Sequence, residues 1–119
     1  MQNTNKTFRI AVASTDGKTI NEHFGKAASF LIYDIGKEAP VLIENRNVPP
    51  LSCETEHTEG NMAPRIEALR DCTAIVTVKI GVPVKRIFEL NGISVFEKTD
   101  SIDNALSKLA AYYAKTGGN

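Results

Sequence analysis

The stretch Phe8 to Ser14 (F-R-I-A-V-A-S) alternates in polarity and is rich in small and β-branched side chains, which predicts a strand. Phe30 to Ile35 (F-L-I-Y-D-I) repeats the pattern as strand two. Gly36 to Pro40 reads as a short turn, so Val41 to Val48 is expected to return antiparallel as strand three and to stop at Pro49-Pro50. A polar loop then runs to Gly60. Asn61 is placed to cap a helix carrying Met62, Ile66 and Leu69 on one face, closed by Asp71-Cys72-Thr73. Ala74 to Ile80 is almost continuously apolar, as in an interior parallel strand covered on both faces. Gly81 turns the chain into a helix with Pro83 in its first turn and Val84, Ile87, Phe88 and Leu90 as its apolar face, ending at Asn91-Gly92. Ile93 to Glu97 is strand five. Asp100 or Ser101 caps a last helix whose Ile102, Ala105, Leu106, Leu109 and Tyr113 face inward, while Lys115 to Asn119 and Met1 to Lys6 are expected to be flexible.

The order β-β-β-α-β-α-β-α predicts an α/β fold with a mixed five-stranded sheet and helices on its faces. If strand one ends at the top of the sheet, strand two descends, strand three ascends, and each later strand ascends after a descending helix. The Asp16 to Gly25 loop, the Pro49 to Gly60 loop and the Lys79-Ile80-Gly81 turn therefore share the top edge, where α/β sheets usually bind ligands. Cys72 falls at the opposite end, about 20 Å away at strand rise.

With 119 residues and 42% apolar composition, the chain is expected to form one domain around one core. Its formal net charge of zero argues against a nucleic-acid-binding face. Neither a signal peptide nor a membrane-spanning apolar run is visible, which points to the cytoplasm. There, Cys53 and Cys72 are both expected to be thiols.

The topology sorts the candidate ligands. His23 lies in the loop Asp16-Gly17-Lys18-Thr19-Ile20-Asn21-Glu22-His23-Phe24-Gly25, and it converges with Cys53 and His57 of the segment C-E-T-E-H. A thiolate and an imidazole together suit zinc, copper or iron–sulfur chemistry. Cys72 is left as a packing residue. Lys79 and the upward-pointing helix ends near Asn61 and Val82 favour an anionic ligand, whereas Glu54, Glu56 and Glu59 favour a bare cation. Phe24 is expected to anchor the His23 loop by packing, and Gly17 and Gly25 to serve backbone turns. A metal-dependent hydrolase would need several carboxylates at one edge, but Asp16, Asp34 and Glu44 are spread along the sheet.

The run I-A-V-A-S-T-D-G-K-T-I-N-E-H-F-G-K-A-A-S-F-L-I-Y-D-I, with D-C-T-A-I-V-T-V-K-I-G and N-G-I-S-V-F further on, resembles the nitrogenase iron-molybdenum-cofactor-binding accessory family, which includes the NifX and NafY proteins and the NifB tail domain. The resemblance implies a ribonuclease-H-like α/β/α fold, into which the mixed sheet with one antiparallel strand, expected from the element order, fits. It also implies a non-enzymatic carrier or chaperone that moves an iron–sulfur or iron-molybdenum cluster between cofactor-biosynthesis or acceptor proteins. It carries a cofactor-binding role onto His23, less directly onto Cys53, and only loosely onto His57. Members similar to the orange protein hold a molybdenum–copper sulfide, which is the alternative cargo.

Overall fold

A computed structural model describes residues 7–36, 38–48 and 59–116. The chain runs β1 (Phe8–Val12), β2 (Ser29–Ile35), β3 (Val41–Asn47), α1 (Glu59–Ala68), β4 (Ala74–Thr77), α2 (Val82–Leu90), β5 (Ser94–Glu97) and α3 (Ile102–Thr116). The five strands form one sheet in the order β3-β2-β1-β4-β5. β2 pairs antiparallel with β1 and β3, while β4 pairs parallel with β1 and β5, so β2 alone runs against the others.

Alternation along β1 explains the layers. Ala11 and Ala13 face one side with Phe30, Ile32 and Ile75, and on them pack Ile66 of α1, Leu69 just beyond it, and Val84 and Phe88 of α2. Ile10 and Val12 face the other side with Ile35, Ala74 and Val76, covered by Ile102, Ala105, Leu106, Leu109 and Tyr113 of α3. The result is a three-layer mixed α/β/α fold. Ser101 caps α3 as expected, its Oγ accepting the Asn104 N–H at 3.1 Å.

Several expected boundaries move. α1 begins at Glu59, so Asn61 is interior to the helix rather than its cap. Leu90 is 78% exposed, because it falls off the stripe set by Val84 and Phe88. Lys115 and Thr116 stay helical. β1 ends at Val12 and β4 at Thr77, and the chain beyond each strand makes other bonds that shape the top edge.

On the face carrying α1, charged side chains continue where the apolar core stops. Arg9 of β1 bridges Asp34 of β2 at 3.0 Å and Asp71 of the α1–β4 turn at 3.0 Å. Arg46 of β3 bridges the same Asp71 at 2.7 Å, Glu44 at 2.7 Å, and the carbonyl of Ala68 at 2.9 Å. Asp71 thus joins β1 and β3 at the end of α1, and Arg9 extends the network to β2. The hydrogen bond from Arg46, then that from Arg9, hold its carboxyl well below the ordinary 3.8. Cys72 is buried, and desolvation pushes its thiol from 9.0 up to about 12. It is a packing residue.

Two outcomes follow from these shifts. A carboxyl depressed in the folded state stabilises the fold fully above 3.8 and loses that contribution as pH falls. Asp71→Asn should therefore flatten the fall in urea-denaturation stability between roughly pH 5 and pH 3. A thiol raised in the folded state has the opposite sense, and its contribution is lost as pH rises from 9.0 toward about 12. At pH 8.5 or so, iodoacetamide should leave Cys72 unlabelled in the native protein and label it in urea, as read by peptide mass spectrometry.

Candidate functional site

A knot of hydrogen bonds sets the path from β1 to His23. The Asp16 carboxylate accepts the backbone N–H groups of Lys18 and Thr19, both at 2.8 Å, and the Thr19 hydroxyl at 2.9 Å. Those bonds, Thr19 first, hold its carboxyl far below the usual range. Gly17 makes the turn possible with φ +74. Ile20 then buries itself, and its N–H donates to the Asp100 carbonyl at 3.0 Å, tying the loop to the start of α3.

The next residues turn back over the end of β4. The Glu22 carbonyl accepts the Val78 N–H at 3.0 Å and the Thr77 hydroxyl at 2.8 Å, and the Phe24 N–H donates to the Lys79 carbonyl at 3.0 Å. Here lies the reason β4 stops short of Ile80: the backbone of Val78 and Lys79 is paired with the His23 loop. Phe24–Lys26 is a single 3-10 turn, with His23 extended at its N-cap (φ −78, ψ 145). The imidazole makes no capping bond to the turn and is exposed.

Below the turn the packing is dense. Phe24 is buried, with ring centroids 5.6 Å from Phe30 and 5.3 Å from Phe88, which bears out its expected anchoring role. Arg65 of α1, only 2% exposed, donates to the carbonyls of Phe24 at 2.9 Å and Ala27 at 2.6 Å. Its guanidinium carbon lies 4.8 Å from the Phe24 ring centroid.

Above the turn is an open cavity of about 320 Å³. His23, Lys26 and Lys79 border it with cationic or ligating groups, while Phe24, Ile80 and Val84 give it an apolar wall. Gly81, the N-cap of α2, completes the rim, so the amide end of that helix meets the cavity. No acidic side chain lines it among the described residues. The neighbouring Glu97 is turned to the backbone, accepting the Ile80 N–H at 2.9 Å. Such a site attracts anions and offers an exposed imidazole to a metal.

The structure thus brings His23 and Lys79 together as the topology predicts. Cys53 and His57 lie outside the described residues. Among the described residues no group of three or more His, Cys, Asp or Glu could hold a metal ion. Lys26 and Arg65 were not anticipated. Lys26 follows the His-Phe-Gly motif directly and could have been found by carrying the loop one residue further. Arg65 gives no signal, because an arginine in a helix ordinarily reads as solvated.

The chain is 33% identical over 107 residues to the FeMo cofactor biosynthesis protein NifB of Frankia alni, an alignment covering 86% of this chain and 21% of the relative. It is 32% identical over 80 residues to the protein NifX of Klebsiella pneumoniae, covering 67% and 49%. The matched region is therefore about a fifth of the first relative's length and half of the second's. In fold, the chain resembles the crystal structure of PH0822 with a TM-score of 0.64 at 23% identity, over 87% of this chain and 91% of the other. Residues 6–112 match the family described as dinitrogenase iron-molybdenum cofactor, and the chain belongs to that family.

Proposed function

We propose that this chain is a non-enzymatic carrier or chaperone that holds an iron–sulfur or molybdenum–iron–sulfur cluster at the His23 cavity and passes it on during cofactor assembly. The observation that carries the reading is the convergence of His23, Lys26, Lys79 and the amide end of α2 on one open, apolar-walled cavity with no acidic lining among the described residues. Metal–sulfide clusters are bulky and commonly anionic, and such a cavity suits them better than it suits a bare cation. His23 is the ligand at its rim. Lys79 and Lys26 provide electrostatic attraction, and Cys53 and His57 are further ligands delivered from the segment ahead of α1.

The membership of NifB and NifX relatives in the same sequence neighbourhood supports cofactor-biosynthesis or acceptor proteins as partners. The strand order, with only the second strand reversed, supports a ribonuclease-H-like fold. Among the described residues, the carboxylates that a hydrolase on such a fold would need are already engaged. Asp16 is consumed by loop amides, Asp34 by Arg9, and Glu44 by Arg46. No helix among the described residues is long and apolar enough to cross a membrane, and a cytoplasmic setting is compatible with the two thiols.

An imidazole is a neutral, exchangeable ligand when deprotonated, so a cluster held by few protein atoms stays transferable. Anaerobic reconstitution with ferrous iron and sulfide should give visible absorption bands in the wild-type protein, and His23→Ala should weaken that binding roughly tenfold or more. Equal binding by the two proteins would sink the assignment. Charge reversal by Lys79→Glu should weaken binding by about severalfold at low salt, and the gap should narrow as ionic strength rises, measured by the same titration.

A further inference from the structure

We propose that Arg65 is the positioning residue of the His23 site: its guanidinium fork grips the carbonyls at the two ends of the 3-10 turn that follows His23 and sets how the imidazole is presented. The inference rests on the carrier reading for its consequence, but not for its geometry.

Among the described residues, Arg65 stands with Phe24, Phe30 and Phe88 as one of the largest fully buried side chains. Burying a guanidinium costs stability unless its donors are well used, and an apolar side chain of similar volume would fill the space without that cost. Desolvation draws its pKa down to about 10, against which the Glu22 carboxylate acts, so it is still a cation at neutral pH. What the charge obtains is specific. One terminal nitrogen meets the Phe24 carbonyl at 2.9 Å and the other meets the Ala27 carbonyl at 2.6 Å, at the two ends of the 3-10 turn.

That turn is closed by the Lys26 N–H on the His23 carbonyl at 3.1 Å and the Ala27 N–H on the Phe24 carbonyl at 3.3 Å. Holding the carbonyls of Phe24 and Ala27 therefore holds the backbone of His23. The Phe24 ring under the guanidinium adds a second contact to the residue next to the imidazole. A lysine offers one point charge and cannot span two carbonyls in this way. Arg65 also sits on α1, the helix that directly follows the segment bearing Cys53 and His57 in sequence, so one side chain ties that helix to the His23 turn.

The test compares wild type with Arg65→Lys, which keeps the charge and removes the fork. Amide hydrogen exchange at Lys26 and Ala27 should accelerate roughly tenfold or more while the amides of β1 and β4 keep their protection. Binding of the cluster reconstituted from ferrous iron and sulfide should fall by about tenfold or more, although no cavity-lining residue has changed. If Arg65→Lys does not fold, Arg65→Met fills the space without a buried charge and should show the same local pattern. Exchange that rises evenly through the sheet, failure of both variants to fold, or cluster binding within about twofold of wild type would overturn the positioning role. Should the wild type itself bind no cluster, the carrier reading falls, and the exchange comparison alone decides on Arg65.

Discussion

The backbone pairing of Glu22 and Phe24 with Val78 and Lys79 is the constraint on which the site depends. Interior strands keep every amide and carbonyl in the ladder, whereas β4 leaves the ladder after Thr77 and gives its next groups to a loop from across the top of β1. Buried Thr77 reinforces the exchange by donating its hydroxyl to the Glu22 carbonyl. Because of this pairing, the side chains of His23 and Lys79, 56 positions apart in number, border the same cavity. The Asp16 knot and the buried Ile20 then limit how far the intervening loop can wander.

Much of this was legible in the chain. Alternation in Phe8 to Val12, unbroken apolar character in Ala74 to Thr77 and the inward stripe of α3 each reflect burial that a periodic pattern records directly. The shared top edge was legible because parallel crossovers leave few ways to arrange ascending and descending segments. What the pattern missed has a physical cause in each case. Val78 to Ile80 are strand-like in composition, yet composition does not reveal which backbone a residue pairs with. Leu90 is apolar but lies off the Val84–Phe88 stripe, and angular position governs burial. Arg65 was invisible because two backbone carbonyls and an aromatic face are among its partners, and such contacts leave no trace in side-chain spacing.

A chain with formal net charge of zero nevertheless presents a cavity without acidic lining among its described residues, and the distribution of carboxylates explains how. Asp34, Asp71 and Glu44 are gathered by Arg9 and Arg46 on the α1 side of the sheet, away from the top edge. Asp16 is turned inward to its own loop amides, and Glu97 to the Ile80 N–H. With Asp34, Asp71 and Glu44 paired to arginines, and Asp16 and Glu97 still anionic but engaged by hydrogen bonds away from the cavity lining, the lysines and the α2 amide end are the charged groups nearest the cavity. Charge placement, not net charge, decides what the cavity attracts.

If the proposed carrier role holds, the vertical order of the site separates two demands that conflict in transfer. A cargo must be held in a defined geometry, yet few bonds to it can be strong if it is to leave. Here rigidity sits beneath the turn, in the Phe24, Phe30 and Phe88 cluster and the Arg65 fork, all fully buried. The imidazole and both lysines stand above it, exposed to solvent. Geometry is thus supplied largely by packing and by hydrogen bonds made beneath the cavity, of which only Phe24 also forms part of its wall. On the proposed carrier reading, an exposed imidazole on a turn held from beneath can be presented precisely and still exchange its ligand.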